Sequence, residues 1–306
     1  MKRALILALT ILFAVQFTPG TVHCSGSQGG LTGQAQTPKS GDEPKVTRTI
    51  LLSGLSNPWD LAFTQEGAML FTEKCRGLSV RRTDGSVHRL FGTRGSAVVA
   101  GDLFCQGQSG MLGVAVDPEF DKNRFIYVFL ASNLDNTRTN RVVRLTVDAG
   151  YTTVSGRKDI FTDIPYKTSA SIWGGAGAHS GGRIRFSPFD GFLYVTTGDN
   201  HNGTLPQDLT GLGGKVLRID REGAAAPGNN IPPGGDPRIF TYGHRNVQGI
   251  AFSPETGQPF SSEHGPGRVP IACTFRVRVA WAPCRTAPRM FCTNARLLHR
   301  NALFHM

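Results

Sequence analysis

The 306-residue chain lacks helical rhythm. Nowhere do apolar residues recur over a long stretch at the three- and four-residue spacing that buries one helix face. It lacks a C-x-x-C-H haem-attachment motif. It also lacks G-x-x-x-x-G-K-[ST], so Lys215 beside Gly213 and Gly214 is not part of a phosphate loop. No basic stripe interleaved with aromatics runs through residues 47–266, which counts against a nucleic-acid partner. The sharpest absence is local. Residues 267–306 contain no Asp, no Glu and no Lys, yet seven Arg and three Cys. At a usual ~12% of Asp plus Glu, so long a window without a carboxylate is improbable.

That window explains the charge. The formal +11 comes from 33 basic and 22 acidic residues, and removing seven Arg leaves 26 against 22, or +4. The body is only mildly basic. Its 39% apolar content suffices for a sizeable core, and 38 Gly favour turn-rich β structure over helices.

The start of the chain reads as a secretory signal over residues 1–23. Lys2 and Arg3 precede an apolar run from Ala4 to Phe17, too short to span a bilayer comfortably, and Thr18-Pro19-Gly20 offers small residues near a cleavage point. Thr21-Val22-His23-Cys24 is a poor lipobox, so membrane contact is expected only if Cys24 carries lipid. Residues 24–46 read as a flexible tether. The expected location is periplasmic or secreted, an oxidising setting. Of six Cys, only Cys75 and Cys105 lie in the body. They are expected to form a disulfide, with two buried free thiols as the alternative.

A strand-turn-strand unit recurs four times. It begins at Trp59–Phe63, Leu112–Pro118, Gly182–Pro188 and Gly249–Pro254, with second strands at Ala68–Glu73, Phe125–Phe129, Phe192–Thr197 and Pro259–Glu263. Phe63, Val116, Phe186 and Phe252 are 53, 70 and 66 residues apart, leaving room for outer strands such as Val142–Val147 and Lys215–Ile219. Four-stranded repeats at this period indicate an all-β propeller rather than a sandwich. The first strand of each blade would line a central channel, with a site built by loops at one end.

Four segments carry chemistry. Gly107-Gln108-Ser109-Gly110 is a Gly-rich turn. Gly177-Ala178-His179-Ser180-Gly181-Gly182 sets a His just before a channel strand, where an imidazole suits proton abstraction. Gly198-Asp199-Asn200 ends a strand and equally supports an Asx-turn. Tyr242-Gly243-His244-Arg245-Asn246-Val247-Gln248 packs an imidazole, a guanidinium and two amides together, and Ser262-Glu263-His264-Gly265-Pro266 follows. These groups suit a planar, multiply anionic ligand with a cation beside it.

Across residues 47–266 these segments resemble the soluble aldose sugar dehydrogenases that depend on pyrroloquinoline quinone (PQQ), the glucose/sorbosone dehydrogenase family. The resemblance implies a six-bladed β-propeller, of which about four blades fit before Pro266. It implies oxidation of the anomeric carbon of an aldose sugar to a lactone, with PQQ and calcium as cofactors. His179 would be the base, Asp199 its orienting carboxylate, and Gln108 a residue of the active-site channel. Arg245, Asn246 and Gln248 would contact PQQ, and the carbonyls of Gly265 and Pro266 would bind calcium. Ala178 departs from the acidic residue often found before the base. A soluble electron acceptor is expected, since no haem motif is present.

After Pro266 the family pattern stops. An acidic pair is expected there, and Gly267-Arg268-Val269 stands instead. Residues 267–306 therefore read as an aberrant basic tail, from a shifted reading frame or genuine divergence. Two further readings follow: a non-catalytic propeller that binds sugar or protein, and an inactive truncated product.

Overall fold

The computed structural model describes residues 46–265 apart from Trp173. The expected signal peptide, all but the last residue of the tether, Cys24, Pro266 and the basic tail lie outside the described residues. Residues 52–265 belong to one compact unit.

Among the described residues fifteen strands make four sheets, numbered in chain order. The first holds β1 (Pro58–Phe63), β2 (Met69–Glu73), β3 (Gly77–Arg81), β4 (Val87–Gly92) and the two-residue β5 (Val98–Val99). The second holds β6 (Met111–Val116), β7 (Phe125–Ser132), β8 (Thr139–Val147) and β9 (Val154–Ile164). The third holds β10 (Gly181–Phe186), β11 (Leu193–Thr197), β12 (Lys215–Ile219) and β13 (Ile239–Tyr242). The last is a hairpin of β14 (Val247–Phe252) and β15 (Pro259–Glu263). Each sheet follows chain order and is antiparallel apart from the short parallel β4–β5 pair. The molecule is a β-propeller with three full blades and the inner hairpin of a fourth, as the repeat predicts.

Blades stack face to face, so their strands are buried on both sides and read as apolar runs. Every residue of β2 and β11 is buried. Leu70, Val80 and Leu90 of the first blade pack with Val114, Ile126 and Val143 of the second. Phe129 and Phe161 of the second pack with Ile184, Val195 and Leu217 of the third. The third interface is smaller, built on Tyr194, Val216, Val247 and Ile250. Among the described residues no strand pairing closes the ring.

The innermost strands β1, β6, β10 and β14 meet at the centre through an ionic knot the sequence did not announce. Asp60 of β1 receives Arg185 of β10 twice, at 2.6 and 2.8 Å, and also pairs with Arg183. Its Oδ2 accepts the backbone N–H of Val114 on β6 at 3.0 Å. Arg183 continues the chain by donating to the carbonyl of Gln248 on β14 at 3.0 Å, with its guanidinium over the Trp59 ring. One buried carboxylate and two guanidiniums thus join four blades with charge-assisted bonds.

The ladder slips at the same place in every blade. Register breaks occur between Pro58 and Asp60, Met111 and Val114, Gly181 and Ile184, and Val247 and Gly249. Each lies where an innermost strand begins. Such bulges re-aim side chains beside sites, and the loops entering these strands carry the residues of interest.

Candidate active site

Gln108, His179 and Arg245-Asn246 precede β6, β10 and β14, while Asp199 follows β11, which runs antiparallel to β10. All therefore gather at one end of the inner strands. The Cys75–Cys105 disulfide forms as expected. It ties the turn after β2 to the loop carrying Gln108.

His179 and Asp199 are both buried, and His179 Nδ1 lies 2.6 Å from Asp199 Oδ1. A carboxylate only accepts, so Nδ1 carries the hydrogen and Nε2 presents its lone pair. The His179 backbone has φ 52°, in the left-handed region that non-glycine residues seldom occupy. Its surroundings enforce this. The Gln108 side-chain oxygen accepts the His179 N–H at 2.9 Å, and the Asn246 side-chain oxygen accepts the Gly181 N–H at 2.9 Å. Ser109 and Ser180 join hydroxyls beneath the loop, and Ser109 also donates to the Gly177 carbonyl at 3.0 Å. Gly198 has no alternative: a Cβ there would sit 1.9 Å from the His179 carbonyl oxygen. Strain held by many contacts is typical of functional loops.

The Asp199 N–H donates to the Arg245 carbonyl at 2.7 Å, which links the base loop to the His-Arg-Asn segment. The Arg245 N–H donates to Glu263 at 2.9 Å, and its guanidinium holds the His264 carbonyl at 2.7 Å. Burial would raise the Glu263 carboxyl. The neighbouring His244 and the backbone N–H groups of Arg245 and Asn246 outweigh that, holding it below the ordinary range. Gln248 lies deeper, inside β14, and its backbone carbonyl serves Arg183. Gly265 is buried just past β15, while Pro266 falls outside the described residues. No group of three His, Cys, Asp or Glu suited to a metal occurs among the described residues. The calcium expectation thus rests on backbone carbonyls.

His201 was not singled out by sequence. Its ring stacks on His179, with centroids 3.5 Å apart and planes 27° from parallel. The one available signal was its place in Gly198-Asp199-Asn200-His201, two residues past the carboxylate. Asn246 Nδ2 and Asn200 Oδ1 are buried with no hydrogen-bond partner among the described residues. Unspent polar atoms of this kind usually have a purpose. A donor at Asn246 and a cation at Arg245 suit an anionic quinone.

A model of the glucose/sorbosone dehydrogenase family matches residues 55–269. The chain belongs to this family. The aldose sugar dehydrogenase of Escherichia coli (strain K12) is 31% identical over 229 residues, 72% of this chain and 57% of that protein. Quinoprotein glucose dehydrogenase B of Acinetobacter calcoaceticus is 28% identical over 246 residues, 72% of this chain and 48% of that protein. The chain thus spans about half the length of these curated relatives. The solved PQQ-bound aldose sugar dehydrogenase of Streptomyces coelicolor superposes with TM-score 0.60 at 32% identity, covering 72% of this chain and 60% of that one.

Proposed function

We propose that this site serves a PQQ-dependent sugar dehydrogenase that oxidises the anomeric carbon of an aldose to a lactone, in an exported protein of the periplasm or exterior. The observation that carries the reading is the buried His179–Asp199 pair at 2.6 Å, set at the entry of the inner strands. When bound, PQQ supplies the two-electron acceptor for the hydrogen on the anomeric carbon. His179 Nε2 takes the proton from the anomeric hydroxyl. Asp199 accepts the Nδ1–H, fixes the ring's tautomer and balances the imidazolium charge that develops. Gln108 locks the backbone of His179 and thereby the direction of its ring.

Asn246 through its unspent Nδ2, Arg245 through its charge, and Gln248 are the residues that would hold the quinone. A calcium ion favours oxygen donors, and the carbonyls of Gly265 and Pro266 would supply them. Electrons would leave to a soluble acceptor.

A second reading is a non-catalytic propeller that binds sugar or protein. The missing acidic pair after Pro266 favours it, because the calcium shell would then be short of carboxylates. The deciding experiment is dye-coupled oxidation of D-glucose by the full chain supplied with PQQ and calcium. His179→Ala is expected to lower kcat by roughly 10²–10⁴-fold. Unchanged activity with an intact fold would remove His179 as the base.

A further inference from the structure

We propose that His201 is a positioning residue for His179, one whose backbone fixes the Asp199 carboxylate while its ring fixes the His179 imidazole. The inference rests on the reading of His179 as the base. It goes beyond that reading by giving the base a second holder.

The two arms of His201 are distinct. Its N–H donates at 2.8 Å to Asp199 Oδ1, the same oxygen that receives His179 Nδ1. Its ring lies against the His179 ring. The segment 199–202 is a tight turn closed by Asn202 N–H to the Asp199 carbonyl at 2.7 Å, and both central residues have positive φ, 52° at Asn200 and 55° at His201. A mirror-image turn with two such residues is a strained choice for a His. It brings the ring back over His179 instead of out to solvent.

The ring has a second close neighbour. Gly174 belongs to the Ser171–Gly174 turn, and a Cβ on it would stand 2.5 Å from His201 Cδ2 and 2.6 Å from Nε2. The imidazole of His201 is therefore held close by a backbone turn as well as by His179. So held, it limits the tilt of the His179 ring.

The charge state suits this role. The charged or titratable groups facing His201 are His179, Asp199, Arg245 and Lys167. Burial lowers its proton affinity most, His179, Arg245 and Lys167 lower it further, and Asp199 opposes them. These neighbours thus favour the neutral form of His201, which presents His179 with a ring face rather than a like charge.

The test uses the full chain and reads the histidines directly. In the proton NMR spectrum, the His179 Nδ1–H held by Asp199 should give a slowly exchanging downfield resonance. His201→Phe keeps a ring in the stack and should preserve that resonance. His201→Ala should broaden it by letting the ring tilt and water enter. In the glucose assay, His201→Ala should lower kcat about 10–100-fold with KM nearly unchanged, as a misplaced base does, and Phe should restore most of it. A resonance unchanged in the Ala variant overturns the proposal whatever the activity. Its loss in Ala and Phe variants alike overturns it too, because stacking would not be the cause. If the resonance behaves as expected while His179→Ala leaves activity intact, His201 still positions His179 and the function reading falls instead.

Discussion

Lys215 is fully buried at the base of the site, and its ammonium donates to three backbone carbonyls: Leu205 at 2.7 Å, Gly213 at 2.7 Å and Pro206 at 3.2 Å. It anchors the segment from Asp199 to Gly214 against β12. Burial pushes its pKa down from 10.5 to about 8, with the Asp208 carboxylate pulling the other way. The sign follows. Between about pH 8 and 10.5 the unfolded chain holds a proton that the folded chain releases, so this residue favours folding more as pH rises through that window. Lys215→Met should abolish that slope. Leu205 and Pro206 carbonyls keep other donors, Asp208 N–H and Gly243 N–H, so Gly213 is the carbonyl most exposed to loss. The expected cost at pH 7 is about 1–3 kcal/mol, one unsatisfied buried acceptor. Urea unfolding of both proteins at pH 7 and 9.5 checks it, and an unchanged midpoint at both would refute it. His179 and Asp199 were legible in sequence because each stands in a Gly-rich turn beside a channel strand. Lys215, Asp60 and His201 were not. Their meaning comes from the carbonyls, guanidiniums and ring the fold brings to them; Arg185 lies 125 positions from Asp60.

The elements repeat a simple plan: an inner strand entered through a bulge, then a buried second strand. This plan was legible because both strands are apolar runs with Pro or Gly turns between them. The outer strands were harder to read. The eleven residues of β9 are mostly exposed or half-buried, in Val154-Ser155-Gly156-Arg157-Lys158-Asp159, and follow no apolar alternation. They pair because β8 offers an open edge, with Arg157 holding Asp102 and Asp159 in partly buried ion pairs. The loops depend on other supports. The Cys75–Cys105 disulfide closes a separation of 30 residues around the first blade's outer strands. Replacing both Cys with Ser should cost roughly 3 kcal/mol by loop-closure entropy. It should also speed hydrogen exchange at the His179 amide, which depends on Gln108 beyond the staple. Thermal melts and amide exchange of the double variant measure both effects. Unaltered exchange at His179 would show that the Gln108 loop holds its place without the staple.

At the scale of the whole molecule, the described residues form a propeller of three blades and the inner hairpin of a fourth. Leu61 and Phe63 lie two apart on β1 and are 50% and 57% exposed. The sequence disclosed the repeat and the family. It did not disclose how four blades hold together, because that depends on the central knot of Asp60, Arg183 and Arg185. The site lies on the entry side of that knot and draws on three blades. On the proposed reading these loops bind PQQ beside His179. The most direct measurement is a calorimetric titration of PQQ, with calcium present, into the full chain and its Arg245→Ala and His179→Ala variants. The account predicts one PQQ per chain, binding about 10–100-fold weaker without the Arg245 charge and little changed without His179. Absence of binding, or equal binding by the parent chain and Arg245→Ala, would contradict it.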